Sequence, residues 1–315
     1  MNLLILFGQT ATGKTAKALE LVDQYNGEIV NFDSRQIYKK LDIVTGKDLK
    51  ENSKFKLQIQ IQNKTVGYYE VASCKLQATR LWLYDIIDPK DTFSSAEYVA
   101  YAENVIQDIV SRGKTPILVG GTGYYLRHLL FGTPEIDIKE DWNLRKVLEG
   151  KTVKELQAIL KEKNPHMVGQ LNNSDRNNPR RLIRRIEIAT SGRTLPSLSQ
   201  RETLSARLGN CGCQSDLMIT YLPFFHSSTA IAREKITLRV EERIKRGAID
   251  EVAHLLKKKY SKTDPGLNAI GYEQIIAYLN NEMSLDEAKK QWITKEMQYA
   301  KRQKTYFKKY FFNPK

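Results

Sequence analysis

Leu3-Leu4-Ile5-Leu6-Phe7-Gly8-Gln9-Thr10-Ala11-Thr12-Gly13-Lys14-Thr15 decides the reading of this chain. The apolar run from Leu3 to Phe7 suits a buried strand, and the residues after Thr15 carry an amphipathic helical pattern. Between them, Gly8 to Thr15 matches the phosphate-loop spacing G-x-x-x-x-G-K-[ST]. The glycines let backbone N–H groups turn toward an anion, and the helix adds the positive end of its dipole. Gly8, Thr10, Ala11, Thr12, Gly13, Lys14 and Thr15 are therefore expected to hold phosphate, with Lys14 neutralising charge and the Thr15 hydroxyl available to Mg²⁺. The spacing leaves the ligand itself unnamed.

Working outward, further strands are expected at Glu28 to Phe32, Arg80 to Ile87, Thr115 to Val119 and Asp216 to Leu222, separated by helical patterns. That alternation predicts an α/β fold, a parallel sheet covered by helices. One of the helices is well marked: Ser94 and Glu97 form a capping-box pair, and Tyr98, Ala102, Val105, Ile106 and Ile109 follow at helical spacing until Gly113. Phe55, Leu57, Ile59 and Ile61 alternate with polar residues before Asn63-Lys64 and Tyr68-Tyr69, which reads as a β-hairpin insertion, expected as a flap covering the core. After Phe131 the alternation stops. Trp142 to Lys163 and Pro179 to Thr190 then give two polar helical patterns, so a helical insert is expected over 137–192, between core segments 1–136 and 193–315. From Thr229 onward the chain reads as helical, interrupted at Gly247, Pro265-Gly266 and Asn280-Asn281.

The chain has 315 residues, 41% of them hydrophobic, which is ample for a substantial core. It contains no stretch near the roughly 18 apolar residues of a membrane span, and the first strand begins at Leu3, so a cytoplasmic protein without a membrane partner is expected. Cys74, Cys211 and Cys213 lack common zinc spacing, and His128, His166, His226 and His254 are scattered, so both sets are read as thiols and as surface or packing residues. Mg²⁺ is the one metal expected. Lys plus Arg number 50 against 36 acidic residues, a net charge of +14 that favours a polyanionic partner or a lysine-rich solvated surface.

Two segments narrow the chemistry. Asp33-Ser34-Arg35-Gln36 follows the second strand, and the carboxyl ends of parallel strands face the ligand crevice. A carboxylate there holds magnesium through water, acts as a general base or caps the next helix. Gly120-Gly121-Thr122-Gly123 follows the fourth strand, placing glycine where many phosphate-loop NTPases carry a metal-binding aspartate, which argues against a hydrolytic motor.

Taken in order, GQTATGKT, DSRQIY, GGTGYY, NPRRLIRRIEI, NAIGYEQI at 268–275 and AKRQKTYF at 300–307 span nearly the whole chain, and together they resemble the tRNA dimethylallyltransferases, also called tRNA isopentenyltransferases. The resemblance implies a P-loop NTPase-like parallel-sheet core with an inserted helical tRNA-binding domain. The implied reaction is Mg²⁺-dependent transfer of a dimethylallyl group from dimethylallyl diphosphate to N6 of adenosine 37, in the tRNA anticodon stem-loop. On the matching positions, Asp33 resembles the base near the adenine amine and Ser34 and Gln36 its readers, while Thr122 resembles a residue at the reacting region. Lys14, Thr15 and Arg243 resemble the groups on the diphosphate. Contact with tRNA is implied for Asp33, Ser34, Arg35, Gln36, Arg145, Arg180, Arg181, Leu182, Ile183, Arg184 and Arg302, with Gln303 in the same motif as Arg302.

The residues suit that chemistry. An adenine amine is a weak nucleophile that a carboxylate helps by accepting its proton, and a leaving diphosphate gains most from cations as its bond breaks. The base must also leave the stacked loop, so arginines are needed to hold the RNA backbone. Arg180 with Arg184 and Arg181 with Arg185 form i,i+4 pairs on a helix whose Leu182, Ile186 and Ala189 can pack inward. Arg239, Arg243 and Arg246 share a face of a later helix, opposite Ile236, Val240 and Ile244. Tyr306 and Phe307 read as core residues. The chain departs from the family pattern at Thr79-Arg80-Leu81-Trp82, where histidines are frequent, at Arg35 and Arg180, and in the hairpin over 54–71. A monomer is expected. Two alternatives use the same core: a prenyltransferase acting on free adenine nucleotides, and a P-loop small-molecule kinase. A noncatalytic RNA-binding protein is a third class.

Overall fold

In the computed structural model of the chain, the residues described are 2–47, 49, 54–61, 64–75, 78–132, 138, 140–192, 203–209 and 217–312. Strand β1 (Asn2–Gly8) runs through the sheet interior, with every residue from Leu3 to Phe7 at most 2% exposed. Burial on both faces explains its unbroken apolar run. Helix α1 (Lys14–Tyr25) returns along the sheet, and its Ala18, Leu21 and Val22 pack on Leu4 and Leu6 of β1. Strand β2 (Gly27–Asn31) follows.

Two long strands come next, β3 (Lys54–Ile61) and β4 (Lys64–Ala72), paired antiparallel, then β5 (Ala78–Trp82). The expected hairpin is present, but it is not a flap. β4 pairs antiparallel with β5, so the hairpin widens the sheet at one edge, with Tyr68 against Trp82 at 4.9 Å between ring centroids. Cross-strand aromatic packing and the backbone ladder hold it there. β5 stops at Trp82, short of the expected Ile87, because Leu83 and Asp85 take positive φ and turn the chain. Helix α2 (Ser95–Ser111) begins at the expected capping box: Ser94 Oγ accepts the Glu97 N–H, and the Glu97 carboxylate accepts the Ser94 N–H. Strand β6 (Thr115–Gly120) and helix α3 (Gly123–Phe131) complete this part.

Five short helices follow: α4 (Trp142–Leu148), α5 (Val153–Lys163), α6 (Pro165–Gly169), α7 (Asn173–Arg176) and α8 (Pro179–Thr190). The pattern expected as one helix from Trp142 to Lys163 is two, because Gly150 takes φ 82° and Thr152 with Glu155 caps a new start. Leu148, Leu156, Leu160, Leu171, Leu182 and Ile186 form their core. The chain then adds α9 (Leu204–Gly209) in a segment that shows no period in the sequence, and the edge strand β7 (Met218–Phe224), whose Pro223 an edge position tolerates. Cys211 and Cys213 lie outside the described residues, and Cys74 is exposed.

Helices α10 (Thr229–Lys245), α11 (Ala248–Lys257), α12 (Tyr272–Leu279) and α13 (Leu285–Phe307) finish the chain, with a π turn at Lys308–Phe312. Phe307 is fully buried against Phe7, as its reading as core requires. The sheet order is β3-β4-β5-β2-β6-β1-β7, with β5, β2, β6, β1 and β7 mutually parallel. Two compact units result, Met1–Leu130 with Leu204–Lys315, and Phe131–Thr203. Among the described residues, no helix is long and apolar enough to cross a membrane.

Candidate active site

The carboxyl ends of β1, β2 and β6 converge on one cavity of about 410 Å³. One end is the loop after β1. Gly13, at φ 78°, occupies the left-handed region that favours glycine and sets the start of α1. The first turn of α1 has neither a side-chain cap nor an acidic residue, and Gly13 to Ala16 line the cavity, an arrangement suited to an anion. The Lys14 ammonium lies 2.5 Å from the Gln9 carbonyl, and the Thr12 hydroxyl donates to the same oxygen at 2.8 Å. Thr10, Ala11, Thr12, Lys14 and Thr15 all line the cavity, while Gly8 ends β1 beneath the loop.

The other end follows β2. Asn31, almost fully buried, accepts the Asp33 N–H at 3.1 Å and donates to the Leu83 carbonyl, which fixes the strand's exit. Asp33 accepts the Arg35 N–H at 2.9 Å with one oxygen, an Asx-type turn, and lines the cavity. Gln36 also lines it, donating to the Gly46 carbonyl at 2.9 Å. Ser34 and Thr122 sit behind this wall: the Ser34 N–H donates to the Thr122 hydroxyl at 3.0 Å, and that hydroxyl lies 3.2 Å from Ser34 Oγ. Arg35 turns away to the Pro265 carbonyl. Asp33 thus both caps this turn through one oxygen and lines the cavity.

Helix α13 ties the two ends together. Gln303, 5% exposed, accepts the Thr10 N–H at 2.8 Å and donates to the Gly121 carbonyl at 3.0 Å. A Cβ on Gly121 would come 2.2 Å from Gln303 Nε2, so this approach requires glycine. Gln303 is thus a brace inside the fold, where the sequence suggested a tRNA contact. His226 supports the same loop, its ring Nε2 donating to the Thr10 carbonyl at 2.9 Å and its N–H to Gln9 Oε1. Burial, aided by Lys235, Lys14 and Lys304, holds its pKa below the usual histidine value, against the Thr10 carbonyl that raises it.

The arginine stripe of α10 faces the cavity, with a division of labour that periodicity could not reveal. Arg243, expected on a diphosphate, is 4% exposed and ion-paired with Glu296 at 3.3 Å. Arg239, one turn earlier, donates to the Thr10 hydroxyl at 2.7 Å, and the exposed Arg246 lies at the rim. Tyr299 of α13 also lines the cavity.

In the unit Phe131–Thr203, several expected RNA contacts have internal duties. Arg145 and Arg184 both bind the buried Glu187 carboxylate, at 2.6 and 3.1 Å, and Arg184 also donates to the Ile138 carbonyl. Leu182 is fully buried in the helical core, so its side chain does not reach a partner. Ile183 is partly exposed, Arg180 exposed, and the exposed Arg181 pairs with Asp175. Arg302 is exposed, 5.8 Å from the Tyr299 ring. Among the described residues, no cluster of His, Cys, Asp or Glu has metal-site geometry.

A mixed sheet whose parallel strands end at a cavity lined by an uncapped helix start and an aspartate defines an α/β protein with a crevice suited to an anionic ligand. Residues 36–310 match the family model described as IPP transferase, and the chain belongs to that family. Relatives named tRNA dimethylallyltransferase include one from Caldanaerobacter subterraneus subsp. tengcongensis, 33% identical over 99% of this chain and 90% of its own length. Another, from Geobacter metallireducens, is 35% identical over 98% of this chain and 90% of its own. Among solved structures, the full-length tRNA isopentenylpyrophosphate transferase of Bacillus halodurans superposes with a TM-score of 0.62 at 27% identity, covering 98% of this chain and 88% of that one. A eukaryotic dimethylallyltransferase acting on tRNA shares the fold with a TM-score of 0.73 at 23% identity, covering 99% of this chain and 71% of that one.

Proposed function

We propose that the protein transfers a dimethylallyl group from dimethylallyl diphosphate to N6 of adenosine 37 in tRNA, releasing diphosphate. One observation carries the reading: Asp33 and the Lys14–Thr15 helix start line one and the same cavity, large enough at about 410 Å³ for a purine beside a five-carbon chain. The core acts as a phosphate-loop domain and the unit Phe131–Thr203 as the helical tRNA-binding insert, with Arg180, Arg181 and Ile183 toward the RNA.

In this mechanism the amides of Gly13 to Thr15, Lys14 and Arg239 orient the donor diphosphate, and Gln303 and His226 keep their loop in shape. Gln36 reads the extruded adenine, and Asp33 accepts the N6 proton through the oxygen that Arg35 leaves open. Thr122 and Ser34 hold the Asp33 turn in place from behind. Arg243 shapes the wall through Glu296.

The donor set fits Mg²⁺, a hard cation that takes one or two protein oxygens beside substrate phosphates; the Thr15 hydroxyl would hold it, with Asp33 on the same cavity. Bound there, Mg²⁺ would neutralise charge on the leaving diphosphate. Cytoplasmic action as a monomer completes the proposal. Incubation with dimethylallyl diphosphate carrying a radiolabel in the prenyl chain, tRNA and AMP tests it: label enters tRNA, and label on AMP alone would reject the tRNA assignment.

A further inference from the structure

One face of α13 forms the wall that joins the two ends of the cavity. Glu296, Tyr299 and Gln303 follow one another at helical spacing, Glu296 meeting Arg243 and Gln303 meeting Thr10 and Gly121. Tyr299 stands between them on the same helix face, lining the cavity on the side of Thr122 and Asp33. Its ring is therefore carried by the same helix face that holds Glu296 and Gln303 in place. Burial, with the Asp33 charge second, pushes its phenol well above the ordinary range, so the ring is neutral at working pH.

The rest of the lining explains why this matters. Lys14, Arg239 and Arg243 are cationic, and Asp33 brings a carboxyl group. As the allylic C1–O bond lengthens, positive charge spreads over the dimethylallyl carbons. Cationic side chains repel that charge, and a carboxylate in contact with it would be alkylated. An aromatic face attracts a cation through its quadrupole and offers no lone pair in the ring plane's normal direction to capture it. Tyr84 and Tyr299 are the aromatic residues among those described that line this cavity, and Tyr299 is the one linked to the acceptor side.

We propose that the ring of Tyr299 lies against the dimethylallyl group and carries its positive charge during transfer, a role that rests on the prenyl transfer set out above. In that step the C1–O bond breaks with its electron pair going to diphosphate. The N6 lone pair forms the new N–C1 bond, and the N6 proton passes to the Asp33 carboxylate. The charge effect belongs to the π face and not to the hydroxyl.

A graded substitution reads this directly. Tyr299→Phe keeps the ring and holds kcat within about threefold. Tyr299→Leu lowers kcat about 10- to 30-fold while the KM for dimethylallyl diphosphate stays nearly constant. Replacement of Tyr299 by phenylalanines bearing one, two and three ring fluorines preserves shape while draining the π face, and kcat falls stepwise, by about tenfold over the series. A merely structural side chain gives a flat series, and a flat series with an active wild type overturns the role of Tyr299 alone. A folded wild type that forms no prenylated adenosine in tRNA overturns the transfer reading, and this proposal with it.

Discussion

Gln303 accepts the Thr10 N–H at 2.8 Å, so that a residue near the end of the last long helix fixes the backbone of a loop at the start of the chain. Its other amide atom donates to Gly121, and the two crevice loops are thereby held at one spacing. Gln303→Ala orphans a part-buried N–H and a buried carbonyl and lowers stability by about 1–3 kcal/mol, chiefly through the carbonyl. Chemical denaturation measures the loss, and the KM for the prenyl diphosphate rises with it.

Asp33→Asn retains an oxygen for the Arg35 N–H, so the turn survives while the proton acceptor is removed. Single-turnover rates fall about 10²- to 10⁴-fold, with tRNA affinity and thermal stability unchanged. A large loss of binding with normal turnover would place Asp33 among recognition groups instead.

Arg239 and Arg243 separate cleanly. Arg239→Ala, which removes a half-exposed charge from Thr10, raises the donor KM about 10- to 100-fold with little change in unfolding. Arg243→Leu leaves Glu296 buried and unpaired, costing about 3–5 kcal/mol of stability, and Arg243→Leu combined with Glu296→Leu recovers most of it. Denaturation midpoints of the single and double variants check the pairing.

The two arginines of the first i,i+4 pair on α8 also differ. Arg180→Ala reduces the slope of log affinity for tRNA against log salt by about one unit, as expected for one lost phosphate contact. Arg184→Ala leaves that slope nearly unchanged and lowers the unfolding midpoint, because Arg184 supports Glu187 and Ile138.

His226 gives the pH dependence a sign. Its folded pKa lies below the usual 6.5, so the unfolded chain binds the extra proton first as pH falls. The stability it contributes is complete above about pH 6.5 and is lost on acidification toward the folded value. The wild type therefore loses thermal stability between pH 7 and pH 5 more steeply than His226→Gln, as differential scanning calorimetry measures.

The parts legible in the sequence were those written in local spacing. The strand, loop and helix from Leu3 to Tyr25, the Ser94–Glu97 capping box and the position of Asp33 after β2 all follow from neighbours a few residues apart. The hairpin was visible as two strands, yet its place on the sheet depends on pairing with β5, which alternation alone does not specify. Likewise, periodicity put Arg239, Arg243 and Arg246 on one face. Which of them reaches Thr10 depends on Glu296, 53 residues further along, capturing Arg243. Glu187 engages Arg145 and Arg184 in the same way, and a stripe of arginines reads alike whether its partners are phosphates or a buried carboxylate. The bracing roles of Gln303 and His226 had no local signal, since each acts on a loop more than 200 residues away in sequence.

The most direct test of the account is mass spectrometry of nucleosides from unmodified tRNA after incubation with the purified protein, dimethylallyl diphosphate and Mg²⁺. The account predicts one dimethylallyl increment on the adenosine of the anticodon loop next to the anticodon, abolished or slowed by Asp33→Asn. Unaltered tRNA beside a prenylated adenine nucleotide, or phosphoryl transfer from ATP to a small molecule with no prenyl product, would contradict it.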